Sequence, residues 1–213
     1  MPIYLDDEPV DLAGKDLSGI LNSATDQITN SGRVIVEVAL NGQMLSSESL
    51  NQHNHKDLAE AELRLYSADP RDVARSALEG LLAQLDQASD QQVRAAEQLN
   101  QDRVGEAMGD LGKAMETWQQ VQQAVTQSIS LIGINLEVLE IEGQTGTAIV
   151  NDLVGQLTSV RDILESRDTV SLADVLAYEW PQLVDRWKHM LTGIIELIDD
   201  ATRPPHRETP GLN

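Results

Sequence analysis

The chain has 213 residues and a formal net charge of -20, with 35 acidic and 15 basic side chains. Such an excess of acid repels phosphate backbones and anionic lipid surfaces, so we expect no binding to nucleic acid or membranes. Cysteine is absent, which excludes disulfides, thiolate nucleophiles and cysteine-based zinc sites. The first residues have neither the basic nor the apolar stretch of a signal peptide, and we expect a cytoplasmic protein.

Residues 1–68 combine strand and helix signals and predict a small α+β module. The opening MPIYLDDEPVDL alternates apolar and polar residues around an acidic turn, which indicates a short hairpin. A helix capped by Asp16 follows, and then RVIVEVAL, whose alternating pattern predicts a strand. Asn41-Gly42 is a strong hairpin signal, and AELRLYS predicts the last strand. This order of elements resembles the β-grasp, the ubiquitin-like arrangement.

Residues 69–201 give almost entirely helical signals and predict an antiparallel four-helix bundle. Asp69 and Pro70 form a helix-start signal, and apolar residues then recur at helical spacing through four segments. The stretch GINLEVLEIEGQTG is not helical in pattern, and we expect a loop across one end of the bundle with Leu136, Val138 or Leu139 tucked into the core. Pro181 is expected to kink or split the last helix, because its ring clashes with the preceding turn and its N–H is missing. Residues 202–213 predict a disordered tail. The predicted fold class is therefore α+β, mainly α.

Three glycines, Gly105, Gly109 and Gly112, lie in the second predicted helix, where each costs about 1 kcal/mol relative to alanine. Their spacing of four and three residues places them along one edge of the helix, beside its apolar seam. Loss of side-chain bulk at this spacing allows another helix to approach closely. We therefore predict tight helix packing at these glycines, with a break between two shorter helices as the alternative.

Residues suited to chemistry are few. His53-x-His55, followed by Asp57 and Glu60, is the one cluster with metal-ligand residue types, and two histidines at this spacing can bind an ion. A solvated loop is the favoured interpretation. Phosphate-binding loops, dinucleotide-binding motifs and nucleophile elbows do not occur in the sequence. We expect no enzyme, no metal and no cofactor, and a metal-dependent enzyme at His53 and His55 is the least favoured alternative.

The segment YEWP brings Tyr178 and Trp180 next to Pro181. Tyrosine and tryptophan are frequent anchors of protein interfaces, and a kink at the proline would present them to a partner. We therefore predict a partner-binding site at Tyr178 and Trp180. The alternative is burial in the core, which is expected for Trp187 because it continues the apolar stripe of its helix.

The stretch DTVSLADVLAYEWPQLVDRW resembles a segment of uncharacterised bacterial proteins in which a small strand-rich module precedes a helical bundle. This resemblance covers most of the chain and implies a fold but no activity. The size, acidity and helical character are also similar to those of chaperones of flagellar and type III export, which hold amphipathic helices of their clients. We therefore predict a non-catalytic binding or adaptor protein with a protein partner. A structural homo-oligomer, with a homodimer as its simplest form, is the alternative.

Overall fold

A computed structural model describes residues 1–14, 16–53 and 61–202. The chain forms two compact units, Met1–Val73 and Ala74–Asn213. The division falls in the first turn of a helix that begins at Pro70, whereas the sequence indicated a boundary after residue 68. A small mixed sheet at the N-terminus is followed by helices, and the protein is α+β and mainly α, as predicted.

The first unit contains a five-stranded mixed sheet with the order β2-β1-β5-β3-β4. Strand β1 runs parallel to β5, and all other neighbouring strands are antiparallel. Helix α1 connects β2 to β3, and α2 follows β4. The elements are β1 (Ile3–Leu5), β2 (Glu8–Pro9), α1 (Leu17–Thr29), β3 (Val34–Leu40), β4 (Gln43–Met44), α2 (Ser47–His53) and β5 (Leu63–Ala68).

Two tight turns set the register of the strands. Asp6 and Asp7 have φ angles of 49° and 65°, and Asn41 and Gly42 have φ angles of 51° and 79°. Positive φ at both central residues is the type I′ geometry, whose twist matches that of paired antiparallel strands. The hairpin predicted at Asn41-Gly42 is confirmed by the pairing of β3 with β4.

Helix α1 supplies much of the core of the first unit. It begins as predicted at Asp16, whose side chain accepts a hydrogen bond of 2.9 Å from the backbone N–H of Gly19. This bond satisfies one of the free donors of the first helical turn. The apolar face of α1 is fully buried together with strand residues, and the best-buried members of this core are Leu17, Ile20, Ala24, Leu63 and Leu65.

The second unit is built from long helices around one apolar core. Helix α3 begins in the first unit and a three-residue turn joins it to α4. Among the helices that the structure describes, none is long and apolar enough to cross a membrane. The elements are α3 (Pro70–Asn100), α4 (Val104–Ile132), β6 (Glu140–Ile141), β7 (Gln144–Thr145), α5 (Gly146–Ser166), α6 (Thr169–Asp174), a π-helical turn (Val175–Glu179) and α7 (Trp180–Thr202).

The last predicted helix is divided into α6, the π-helical turn and α7, so the helical unit has more segments than the four predicted. Within the turn, the backbone N–H of Trp180 donates to the carbonyl of Val175, a spacing of five residues. Pro181 follows directly. Because proline has no N–H and its ring crowds the preceding turn, the chain takes up the strain by widening one turn. The distortion expected at Pro181 is therefore seen as a π-helical turn that ends two residues before it.

Three tryptophans lie at the centre of the helical core, and each is almost fully buried. The ring of Trp118 meets Trp180 at a centroid distance of 6.0 Å and Trp187 at 5.3 Å. Interplanar angles of 81° and 83° make both contacts edge-to-face, an arrangement that aromatic quadrupoles favour. The remaining core is aliphatic, since the chain has no phenylalanine.

The connection from α4 to α5 was predicted to be a loop and contains the β6–β7 hairpin instead. Glu142 and Gly143, with φ angles of 50° and 81°, form its turn. Of the apolar residues expected to tuck into the core here, Leu139 is buried, Leu136 is half-buried and Val138 is exposed. The hairpin was missed because each of its strands has only two residues.

Candidate partner-binding groove

An apolar depression of about 250 Å³ lies where the first turns of α4 meet the end of α5 and the start of α6. Its walls combine residues that are buried with residues that remain partly open to solvent. Val104 and Leu164 are 38% and 39% exposed, respectively. The depression is therefore accessible from outside and offers apolar surface. Its apolar lining is Val104, Met108, Ile163, Leu164 and Leu172.

Two charged residues mark the edge of this depression. Arg167 ends α5 in the left-handed conformation, with a φ angle of 58°. Asp168 caps α6 and accepts hydrogen bonds of 3.0 Å from the backbone N–H of Ser171 and 2.7 Å from its hydroxyl. The hydroxyl and the backbone N–H of Ser171 hold the pKa of Asp168 below its ordinary value, so the edge keeps a fixed negative charge.

A second apolar depression, of about 210 Å³, lies between the C-terminal half of α4 and the start of α5. Trp187 of α7 forms part of its wall although the indole is fully buried. The other lining residues include Gln122, Val125, Ile129, Leu136 and Val150.

The surface between the two depressions is also apolar on the α5 side. Val150, Val154, Leu157 and Leu164 are spaced by four, three and seven residues, which places them on one face of α5. Val154 is 51% exposed and lies between the residues that line the two depressions. We call the two depressions and this intervening strip the α4–α5 groove. It offers apolar burial to a partner and no reactive group.

The residues of the least favoured alternative, a metal site at His53 and His55, do not form a described site. His53 lies in α2, where its Nδ1 atom is 2.8 Å from the carbonyl of Ser49. His55, Asp57 and Glu60 lie outside the described residues. Within ranges 1–14, 16–53 and 61–202, no three histidine, aspartate or glutamate side chains are grouped to hold an ion.

Tyr178 and Trp180, predicted together as a partner site, have different environments. Tyr178 belongs to the π-helical turn and is 69% exposed. Trp180 is fully buried against Trp118, which matches the alternative of core burial. The two side chains therefore do not share one surface, and a partner contact at Tyr178 alone stays a prediction. The prediction for Trp180 is corrected because the core needs this large side chain.

The three glycines of α4 do not pack against another helix. A Cβ atom added at Gly105, Gly109 or Gly112 would meet no atom within 4 Å in the described part of the chain. The helix continues without a break from Val104 to Ile132, so the alternative of two shorter helices is wrong as well. The buried face of α4 contains Ala107, Leu111, Ala114 and Trp118, and the glycines lie on the opposite, exposed face.

The α4–α5 groove was not predicted from the sequence. One signal for it exists in α5, where the apolar stripe is wider than the core requires. Ile149, Leu153 and Val160 are buried, while Val154 and Leu164 extend the stripe onto an exposed flank. A stripe that exceeds the buried face indicates surface left for a partner.

The fold and the groove together define a mainly helical protein with an apolar cleft on an acidic chain. Residues 76–190 match the family described as a domain of unknown function (DUF8042). Because the match spans more than half of the chain, the protein belongs to this family. The matched range contains the residues that line both depressions. No curated protein and no solved structure matches the chain.

Proposed function

We propose that this protein is a non-catalytic binding or adaptor protein whose α4–α5 groove receives an amphipathic helix of a protein partner. The observation that supports the proposal is the pair of apolar depressions lined by α4 and α5, with the exposed Val154 between their α5 residues in sequence. A helix that places its apolar face in such a groove buries residues at spacings of three and four.

The charge of the chain defines the partner further. With a net charge of -20, the protein attracts helices whose polar face is basic and repels acidic ones. We therefore propose a partner helix with leucine-like residues on one face and lysine or arginine on the other. A chaperone that holds such a helix in the cytoplasm before export is the narrower form of this proposal.

The topology supports a finer description of both units. We propose that the first unit is a β-grasp module, and the β1–β2 hairpin, helix α1 and the central β5 parallel to β1 support this proposal. We propose that the helical unit is a variant of a four-helix bundle, in which α3, α4, α5 and the α6–α7 segment take the places of the four helices.

Fluorescence anisotropy tests the groove with a labelled amphipathic peptide of leucine and lysine in helical spacing. A scrambled peptide of the same composition is the negative control. We expect the patterned peptide to bind. Val154→Gln and Val104→Gln should weaken binding about tenfold, because each removes an exposed apolar contact without adding charge.

Val93→Gln is the matched control, since Val93 is a similarly exposed valine on α3, outside the groove. Equal binding of the scrambled peptide, or unchanged binding by both groove variants, would contradict the proposal. Sedimentation velocity of the protein alone tests the alternative of a homo-oligomer. A dimer that Val154→Gln dissociates would identify the groove as a self-association surface instead.

A further inference from the structure

An arginine at the edge of the larger depression of the α4–α5 groove has no partner for its charge. Arg167, the residue that follows α5, lines this depression and is exposed to solvent. Its guanidinium forms no hydrogen bond and no ion pair with any residue that the structure describes. An apolar depression is therefore bordered by a cation that is free to bind.

An unpaired cation is rare in this chain, where 35 acidic side chains face 15 basic ones. Every described lysine and arginine except Arg71 and Arg167 forms an ion pair with a carboxylate. Arg71 belongs to the first unit and does not line the depression. With acid in such excess, an arginine left unpaired beside an apolar depression indicates that its carboxylate comes from another molecule.

The backbone at Arg167 points to a role for its side chain. The residue has a φ angle of 58°, and its N–H donates to the carbonyls of Ile163 and Leu164 to close the end of α5. Glycine is the usual residue in this left-handed position, and a side chain here costs about 1 kcal/mol. The chain therefore has an arginine where the backbone alone would favour glycine.

The neighbouring charges are already engaged within the chain. The carboxylate of Asp168, which also lines the depression, accepts hydrogen bonds from the N–H and the hydroxyl of Ser171. On the α4 side, Arg103 and Glu106 pair with each other at 2.7 Å. The guanidinium of Arg167 is therefore the charged group at this edge with donors to spare for a ligand.

We propose that Arg167 binds a carboxylate side chain of the partner helix, and this pairing rests on the function proposed above for the α4–α5 groove. A leucine-like residue of the partner fills the depression, and a glutamate three or four residues away lies on the same face and reaches Arg167. Guanidinium and carboxylate fit together through two parallel hydrogen bonds. On an otherwise basic helix, this one glutamate fixes the register in the groove.

Anisotropy titration of the full chain with variants of the leucine–lysine peptide tests the pairing. In one set of peptides a single lysine is replaced by glutamate, and in the matched set the same lysine is replaced by glutamine. At one position, a turn away from a leucine, we expect glutamate to bind about threefold more tightly than glutamine. At the other positions glutamate should bind more weakly, because the chain carries a net charge of -20.

Variants of the protein assign the effect to one residue. Arg167→Gln should remove the preference for glutamate and leave binding of the glutamine peptide within about twofold of wild type. Arg167→Gly suits the left-handed backbone and should lose the preference in the same way, which separates the charge from any change in the fold. Arg71→Gln is the matched control, since it removes another exposed, unpaired arginine, and the preference should persist. A preference for glutamate that survives in both Arg167 variants would overturn the assigned site.

The outcomes separate this pairing from the groove itself. If the parent peptide binds but glutamate weakens binding at every position, the pairing is overturned and the groove proposal stands. If the parent peptide does not bind, both are overturned. All these peptides have blocked termini. A peptide with a free C-terminal carboxylate and no glutamate that binds more tightly than every glutamate peptide would overturn the assignment to a side chain.

Discussion

The side chain of Ile141, in the β6–β7 hairpin, lies directly over Gly193 of α7. A Cβ atom at position 193 would stand 2.6 Å from the Cδ1 atom of Ile141, closer than two carbon atoms can approach. The absence of a side chain at Gly193 therefore allows the hairpin to pack onto the helix. Gly193 therefore differs from the glycines of α4, where an added side chain would meet no neighbour.

We expect Gly193→Ala to lack the stabilisation that alanine normally gives in a helix. Alanine gains about 1 kcal/mol over glycine in helix propensity, but the clash forces Ile141 off its rotamer at a cost of about 1 kcal/mol. The free energy of unfolding, from urea titration followed by tryptophan fluorescence, measures the balance. Adding Ile141→Val, which removes Cδ1, should restore the stabilisation by alanine. If the effects of the two substitutions on the free energy of unfolding were strictly additive, the contact would be contradicted.

At the exposed glycines of α4, we expect alanine to stabilise the protein. Gly109→Ala adds a methyl group that meets no atom within 4 Å, so we expect stabilisation by about 0.5–1 kcal/mol from helix propensity and reduced freedom of the unfolded chain. The same holds for Gly105 and Gly112. Urea titration at several protein concentrations is the measurement. A destabilising effect that grows with protein concentration would show that a second chain packs on these glycines.

The surroundings of these glycines show why the sequence identified the wrong ones. Helical spacing told us that Gly105, Gly109 and Gly112 share an edge, but not which side of α4 faces the core. The buried face of α4 includes Ala107 and Ala114, whose small side chains give a weak hydrophobic signal. The hairpin that covers Gly193 comes from a distant part of the chain, so spacing within α7 contains no sign of it.

Signals confined to a few neighbouring residues were predicted well. The cap at Asp16, the turn at Asn41-Gly42 and the distortion at Pro181 all appear in the structure. Each depends on backbone geometry that a short segment determines. The α4–α5 groove depends on how closely two helices approach, which is set by side chains on several elements. No single segment of the sequence determines that distance, so the groove was not predicted.

Gln92 provides a prediction about the core of the helical unit. The residue is fully buried, and neither its Nε2 nor its Oε1 atom has a partner in the described part of the chain. We expect Gln92→Leu to raise the free energy of unfolding by about 1–3 kcal/mol, because it removes two unpaired polar atoms and keeps a similar volume. Urea titration measures the change.

Gln127→Leu is the matched control for that experiment, since Gln127 is exposed on α4. It should change stability by less than about 0.5 kcal/mol. A loss of stability in Gln92→Leu would show that the buried amide is paired in solution, for example through an ordered water molecule.

Asp6 links the stability of the first unit to pH. Its carboxylate accepts hydrogen bonds of 2.7 Å from the backbone N–H of Ser67 and 2.6 Å from its hydroxyl, and Arg33 lies 3.7 Å away. Partial burial alone raises the pKa of Asp6, but the bonds from Ser67 and the charge of Arg33 outweigh it. The pKa therefore lies below its ordinary value of 3.8.

A lowered pKa means that the native state binds the proton more weakly than the unfolded chain does. The carboxylate of Asp6 therefore stabilises the fold at pH values above 3.8, and this contribution is lost as the pH falls through the lower native pKa.

Asp6→Asn, which tolerates the positive φ of this turn, should be less stable than wild type at neutral pH. The difference should shrink below pH 3.8, as hydrogen exchange of β5 amides would report. Asp26→Asn, on the exposed face of α1, is the matched control. A stability difference between Asp6→Asn and wild type that stays constant with pH would contradict the linkage.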